Sequence, residues 1–381
     1  MQSGKLPASL LQQLVLGQIR HRRPEVVVPA RIGEDAAAIR FGPATPGELC
    51  VVTSDPITGA STDIGWLGVH VCCNDVGAMG AEPIGIQVVL LLPPATPEGW
   101  LQETIQRVQV ACDSLNIDVL GGHTEVTDRV TEPVFIGTAL GRVTSQQLVT
   151  TAGARPGDGL VVTKGIGLEG TAILAREASA DLEGKVRAEL LQAAQQFWNE
   201  ISVVPEGRLA AGAGATAMHD VTEGGLYVAA RELAAASGCC FRIWRDRLPI
   251  RPATAAICEA LGLDPLGLVS SGCLLIAHPE PGRLVEQLTQ AGIPAAHVGE
   301  LLPDLADSPA PAEGGEGPCN AAVNALTLGE GQAGNAGAPA LGVRKAQAGR
   351  GELILPDGRA VAWPVREEDE LWRYWSSFRR V

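Results

Sequence analysis

The sequence has little positive charge, no paired CxxC motif and no long run of apolar residues. Its 381 residues carry a formal net charge of -14, which argues against a surface for nucleic acid or anionic membrane. The nine cysteines have neither zinc-site spacing nor the density of a secreted disulfide scaffold. No uncharged stretch is long enough to span a membrane. These absences predict a cytoplasmic globular protein whose partners include neither nucleic acid nor a membrane.

Alternating strand and helix patterns fill most of the chain. The hydrophobic fraction of 46% and the length favour two α/β domains, and the pattern restarts after the turn at Pro156-Gly157. From about residue 303 to residue 349 the sequence is rich in Ala, Gly, Pro and Glu. Such a stretch cannot bury enough apolar surface to order itself. The predicted units are an N-terminal domain (residues 1–154), a C-terminal α/β domain (155–302), a low-complexity linker (303–350) and a C-terminal hairpin and tail (351–381) that turns at Asp357-Gly358.

The stretch GLVVTKGIGLEG, residues 159–170, places a GxGxxG motif between a strand and an alanine-rich helix. A dinucleotide fingerprint needs a second parallel strand that ends in an acidic residue, and a second helix follows here instead. Two interpretations stay open, a tight turn or a phosphate site on the helix N-terminus. Lys164 is either a phosphate counter-charge or a solvated lysine, and the candidate cofactor-binding residues of this turn are Lys164, Gly165 and Gly167.

Several carboxylates stand beside small residues where a strand ends or a helix runs. Hard cations such as Mg2+ need oxygen ligands and usually share them with substrate phosphates. Each aspartate has an alternative structural role: Asp35 could cap a turn, Asp55 precedes a proline, and Asp75 could lie on a wet helix face. Asp75 is the most informative, because an unpaired carboxylate among apolar neighbours is costly unless it has a ligand.

Seven segments occur in an order that resembles the superfamily of aminoimidazole ribonucleotide synthetase. This superfamily also contains thiamine monophosphate kinase, selenophosphate synthetase and the hydrogenase-maturation carbamoyl dehydratase. The resemblance extends from residue 33 to about residue 277, and the order of the segments is much more specific than any one of them. The segments are GEDAAAI, TSDPITG, CCNDVGAMGAEP, GGHTEV, RPGDGLVVTKGIGLEG, HDVTEGGL and LGLDPLGLVSSGCLLIA.

The resemblance implies a PurM-like two-domain α/β (α+β) fold. Its N-terminal mixed α/β domain pairs with that of a second subunit in a barrel-like homodimer interface, and its C-terminal domain is an α/β sandwich. ATP is expected in the cleft between the domains, with Mg2+ bridging its phosphates to aspartates. The GIGLEG motif then corresponds to the first strand-to-helix turn of the second domain.

The resemblance also assigns site residues by motif. Metal ligands are expected at Asp35, Asp55 and Asp75, and catalytic residues at Asp55, Asp75, His123 and Asp220. Histidine titrates near neutrality, so His123 and His219 could each act as acid or base, with a structural hydrogen bond as the alternative. Besides the turn residues above, the expected cofactor-binding residues are Asp35, Gly121, Gly122, Thr124, Thr222, Glu223, Gly224 and Gly225.

The implied activity is the ATP- and Mg2+-dependent activation of an amide, carbonyl or phosphate oxygen of a small-molecule acceptor. The segments GLDPLGL and DVTEGG most resemble the carbamoyl dehydratase, which carries its substrate on a C-terminal cysteine. This sequence ends in WSSFRRV, so formation of a protein-bound thiocyanate is not expected. Two alternatives stay open: a kinase of thiamine monophosphate, although that enzyme has an aspartate at the position of His123, and a non-catalytic nucleotide-binding scaffold that recruits a protein partner through its aromatic tail.

Overall fold

The computed structural model describes Gln12 and residues 26–28, 32–40, 47–58, 63–304, 349–365 and 368–378. The predicted linker therefore lies outside the described residues except at its two ends. Within the described part of the chain, no helix combines the length and apolar character that crossing a bilayer requires.

The first half of the chain forms a six-stranded sheet covered by two helices. Its strand order is β1-β2-β3-β6-β4-β5, and every neighbouring pair is antiparallel except β4 and β5. Buried and less buried residues alternate along most of β6, as expected for a strand with one face on the core. The strands are β1 Val26–Val28, β2 Ala37–Arg40, β3 Glu48–Ile57, β4 Glu82–Leu92, β5 Asp118–Val126 and β6 Val134–Thr144, and the helices are α1 Ile64–Ala78 and α2 Glu98–Leu115.

Helix α1 is buried on nearly all sides and lies close to the sheet. Gly68 allows this approach, because a Cβ atom at this position would lie 2.4 Å from the ring of Phe135 on β6. Asp63 precedes the helix without a side-chain cap bond. Its carboxylate instead accepts two bonds of 2.5 Å from Arg107 and one of 2.9 Å from the indole of Trp198. The start of α1 is therefore anchored by tertiary contacts.

The second half forms a seven-stranded sheet in the order β13-β12-β9-β11-β7-β10-β8. Strands β7 and β10 are buried throughout, which matches their uninterrupted apolar sequences. The strands are β7 Gly159–Thr163, β8 Ala217–Asp220, β9 Cys239–Trp244, β10 Leu274–His278, β11 Ala295–Pro303, β12 Gly351–Ile354 and β13 Ala360–Ala362. The helices are α3 Leu168–Glu177, α4 Ser179–Leu182, α5 Ala188–Gln196, α6 Val204–Ala213, α7 Gly225–Ala236, α8 Pro252–Leu261, α9 Pro281–Gln290 and α10 Glu370–Phe378.

The register of three strands brings three loops to one edge of the second sheet. Strand β10 is antiparallel to both β7 and β8, with Leu275 opposite Val162 and Leu274 opposite Asp220. The end of β7, the end of β8 and the start of β10 therefore lie side by side. The loops at this edge cover residues 164–167, 221–224 and 269–273.

The two halves pack against each other through α1 and the segment before α6. The buried side chain of Asn74 donates to the carbonyl of Ile201 and accepts from the amide of Val203, both at 2.8 Å. Gly207 makes close backbone contact possible, because a Cβ there would lie 2.1 Å from the carbonyl oxygen of Gly77. One hydrophobic cluster includes residues of both halves.

Candidate functional site

Three aspartates, contributed by both halves of the molecule, lie near Asp75 of α1. The Asp75 carboxylate accepts a hydrogen bond of 2.7 Å from the hydroxyl of Thr53, which also lies 3.4 Å from Asp55 on the same strand. Burial raises the pKa of Asp75 well above its usual range, and the negative charges of Asp55, Asp220 and Asp35 raise it further. The carboxylate cluster, defined as Asp35, Asp55, Asp75 and Asp220, therefore concentrates negative charge where the two halves meet.

His219 lies between the carboxylates of Asp35 and Glu232 and contacts both. Its imidazole forms an ion pair with Asp35 and a second one, at 2.9 Å, with Glu232 of α7. Burial alone lowers the pKa of His219, but the two carboxylates more than offset this effect and raise the pKa well above its usual value. A ligand atom from each of Asp35, His219 and Asp220 lies within 4.8 Å of the others.

The carboxylate cluster fits a hard divalent cation. Its ligand atoms are oxygens, the type that Mg2+ prefers. Oδ2 of Asp35 is buried without a hydrogen-bond partner among the described residues, and a buried carboxylate oxygen is costly unless something compensates it. A cation would also relieve the mutual repulsion that raises the pKa of Asp75. Asp35 and Asp220 lie within reach of one ion together with His219, and Asp55 and Asp75 add negative charge beside them.

The loop between β8 and α7 starts directly after Asp220 and carries Thr222, Glu223 and Gly224, and Gly225 is the first residue of α7. Gly224 and Gly225 have φ values of 83° and 59°, a region that favours glycine. At Gly225, a Cβ atom would also lie 2.5 Å from the carbonyl oxygen of Leu266. Backbone shape and close packing therefore require the two glycines of residues 222–225, a stretch called the nucleotide loop after the role that the family resemblance implies.

The glycine turn at residues 165–170 is closed by bonds within the protein. The amide of Gly165 donates to the carbonyl of Thr163 at 2.7 Å, and that of Gly170 donates to Val269 at 3.0 Å. The amide of Gly167 donates to the hydroxyl of Ser270 at 2.6 Å. These amides are occupied, so the geometry favours the tight turn over the phosphate site among the two interpretations of this motif.

Lys164 directs its ammonium group into the protein. The Nζ atom donates to the carbonyls of Glu200 and Ser202 at 2.9 and 2.5 Å and forms a 2.7 Å ion pair with Glu206. These three acceptors match the three N–H groups of a lysine. The Lys164 side chain is therefore committed to the packing of the turn against the segment before α6.

The GGHT residues lie away from the carboxylate cluster within one chain. Gly121, Gly122, His123 and Thr124 belong to β5, an edge strand that is separated from β3 by two strands. Every residue of β5 is exposed, and the imidazole of His123 lies 3.9 Å from the carboxylate of Glu125. The strand structure requires glycine at Gly122, because a Cβ there would lie 1.8 Å from the carbonyl oxygen of Val88.

The structure adds residues near the site that the sequence did not single out. Thr53 binds Asp75, and Glu169 of α3 accepts a bond of 3.3 Å from the amide of Ser271. Burial raises the pKa of Glu169, and the nearby charge of Glu223 raises it further. Asp369 and Trp372 of the C-terminal segment contact the nucleotide loop. Thr53 belongs to the TSDPITG segment, but no sequence signal places residues so late in the chain beside residue 224.

Fold and site together define a two-domain protein with a carboxylate cluster between its α/β halves. The family models of the AIR synthase related protein match the chain over residues 33–143 for the N-terminal domain and 155–307 for the C-terminal domain. The chain belongs to this family, and the predicted PurM-like two-domain fold is confirmed. A carbamoyl dehydratase HypE of Cupriavidus necator is 28% identical over 312 residues, covering 79% of this chain and 84% of that protein. That of Rhizobium leguminosarum is 29% identical over 285 residues, covering 72% and 78%.

Solved structures share the fold. A HypE–HypF complex aligns with a TM-score of 0.68 and 17% identity, covering 94% of this chain and 100% of that chain. A HypE in complex with ATP aligns with a TM-score of 0.61 and 19% identity, covering 97% of both chains. A ThiL complexed with AMPPCP and a second ligand, TMP, aligns with a TM-score of 0.59 and 21% identity, covering 71% and 85%.

Proposed function

We propose that this protein is an ATP- and Mg2+-dependent enzyme that activates an oxygen atom of a small-molecule acceptor by phosphoryl transfer. The observation that carries the proposal is the convergence of Asp35, Asp55 and Asp75 from the first half with Asp220 from the second. The family relationship supports it, and structures of HypE with ATP and of ThiL with AMPPCP have the same fold. The acceptor class is amide, carbonyl or phosphate.

Each part of the site has a role in this proposal. Asp35, Asp55 and Asp75 would hold Mg2+, which when bound neutralises charge on the transferring phosphoryl group. Thr53 orients the Asp75 carboxylate through its 2.7 Å bond. Asp220 and the nucleotide loop contribute groups of the second half to the same site, so that both reactants would be held between the two halves. His219 holds Asp35 in place by its ion pair.

A nucleotide-binding scaffold without catalysis is the rival function, and turnover distinguishes the two.

Calorimetric titration with ATP tests the proposal directly. We expect binding in the presence of Mg2+ and much weaker binding in its absence, because the carboxylate cluster repels the triphosphate unless a cation lies between them. Isothermal titration of the full chain with ATP, with and without Mg2+, measures this difference, and phosphate release with candidate acceptors follows. Absence of binding in both conditions would refute the proposal, and binding without turnover of any acceptor would favour the scaffold.

The exposed strand β5 supports a homodimer. It is the last strand of its sheet, and its apolar side chains Val119, Leu120 and Val126 are 44%, 49% and 64% exposed. An open apolar edge strand is a template for pairing with another chain. We propose that a second copy covers β5, in the position that the family resemblance implies for the dimer interface.

Replacing Val119 with lysine is expected to convert the dimer to a monomer, because a charge would be buried where two β5 edges meet. Sedimentation velocity measures the change. Val110→Lys on α2 is the matched control, since Val110 has a similar exposure of 47% and belongs to a helix and not to the edge strand. A dimer that persists in Val119→Lys, or a wild-type monomer, would contradict the proposed interface.

A further inference from the structure

The C-terminal segment, defined as residues 351–365 and 368–378, is built into the second half of the molecule. Strand β12 pairs in parallel with β9, and Trp363 is buried against the rings of Phe241 and Tyr227, with both ring centroids at 5.2 Å. The Trp363 indole donates to the carbonyl of Tyr227 at 3.0 Å. Because Tyr227 lies in the first turn of α7, this bond anchors the segment directly behind the nucleotide loop.

Two side chains of the segment then contact the loop itself. The buried carboxylate of Asp369 accepts a bond of 2.7 Å from the amide of Gly224 and one of 2.8 Å from the amide of Leu371. The indole of Trp372 donates to the carboxylate of Glu223. Asp369 and Trp372, which lie about one helical turn apart, therefore each bind one of two consecutive loop residues, Gly224 and Glu223.

These bonds act on a part of the backbone that has little intrinsic preference for one shape. Gly224 and Gly225 adopt positive φ values, and glycine reaches many other conformations at little cost. A buried hydrogen bond between a charged acceptor and an amide is stronger than a neutral one. Asp369 thus supplies the specific bond that selects one of the conformations available to Gly224.

We propose that Asp369 and Trp372 are positioning residues of the nucleotide site, which fix the backbone of residues 223–225 so that the loop is ready to receive ATP. This inference rests on the proposed function for the identity of the ligand. It assigns the C-terminal segment a role in the site, although none of its residues belongs to the carboxylate cluster.

Amide hydrogen exchange of the loop tests the positioning without any nucleotide. Asp369→Ala is expected to accelerate exchange of the Gly224 amide by about tenfold or more, because its only described acceptor is lost. The full chain is measured at pH 8, where Asp369 is ionised, since burial raises its pKa to about 7. Asp357→Ala, at the exposed hairpin tip of the same segment, is the control and leaves this exchange unchanged.

Titration with ATP and Mg2+ then tests the consequence for binding. Asp369→Ala and Trp372→Phe are expected to raise the Kd by about tenfold each, and Asp369→Asn to lie between wild type and Asp369→Ala, because one acceptor oxygen remains. Trp372→Phe removes the indole donor while it keeps an aromatic ring, and it provides a second test should the aspartate variants misfold. Unchanged loop exchange in Asp369→Ala, or equal or tighter ATP binding by both variants, would overturn the inference. Failure of wild type to bind ATP would instead refute the proposed function, with the exchange measurement still deciding whether the segment shapes the loop.

Discussion

Asp75→Asn is expected to lose Mg2+-dependent ATP turnover by about 100-fold or more while making the metal-free protein more stable. The loss follows because Asn is a poor substitute for a charged metal ligand. The gain follows because the pKa of Asp75 is raised in the folded state, first by burial and then by neighbouring carboxylates. Above the unfolded-state pKa, deprotonation therefore favours the unfolded chain, and removing the charge is worth about 1–3 kcal/mol.

Opposite changes in activity and stability distinguish a metal ligand from a structural residue. Phosphate release and thermal unfolding are measured in parallel at pH 8, with and without Mg2+. Asp113→Asn is the matched control, since Asp113 is an exposed residue of α2, and neither quantity should change. An Asp75→Asn protein that is both active and no more stable than wild type would remove Asp75 from the proposed metal site.

Asn74→Ala is expected to lower the free energy of unfolding by about 3 kcal/mol, because it leaves two buried backbone groups unpaired. The side-chain amide of Asn74 bonds both the carbonyl of Ile201 and the amide of Val203. The bonds join the helix of Asp75 to the second half, so the variant should also weaken ATP binding.

Urea unfolding of the two proteins measures the stability difference. Asn199→Ala provides the comparison, because this exposed asparagine bonds only the side chain of Gln196 among the described residues, and its loss should cost less than about 0.5 kcal/mol. If the two alanine variants were equally stable, the hydrogen bonds that Asn74 makes between the two halves would not contribute to the free energy of unfolding.

The local pattern of the chain was sufficient to predict many elements of the fold. The strand and the alanine-rich helix that flank the GxGxxG motif in the sequence are β7 and α3. An aspartate directly before a helix, as Asp63 is, often caps that helix through its side chain, but the Asp63 carboxylate is occupied by Arg107 and Trp198 instead. Such competition arises from residues far away in sequence, which local periodicity does not contain.

The candidate site was only partly predictable, because local motifs mark some of its residues while other contacts join residues that are far apart in the sequence. Small residues beside aspartates marked Asp35, Asp55 and Asp75 as candidates, and the register of the second sheet explains why Asp220 joins them. The interior ion pair of Lys164 depends on Glu206, which the motif does not include. The position of Asp369 depends on a strand pairing across the whole second half, and pairings of this kind have no signature in a single sequence.

The parallel pairing of β12 with β9 has a consequence for how the protein is made. Strand β12 follows β9 late in the sequence, so the edge of β9 and the ring of Phe241 lack this cover until residues 351–354 have left the ribosome. An uncovered strand edge is prone to pair with other chains. The nascent second half is therefore more vulnerable to aggregation before β12 has been made, and β12 protects it afterwards.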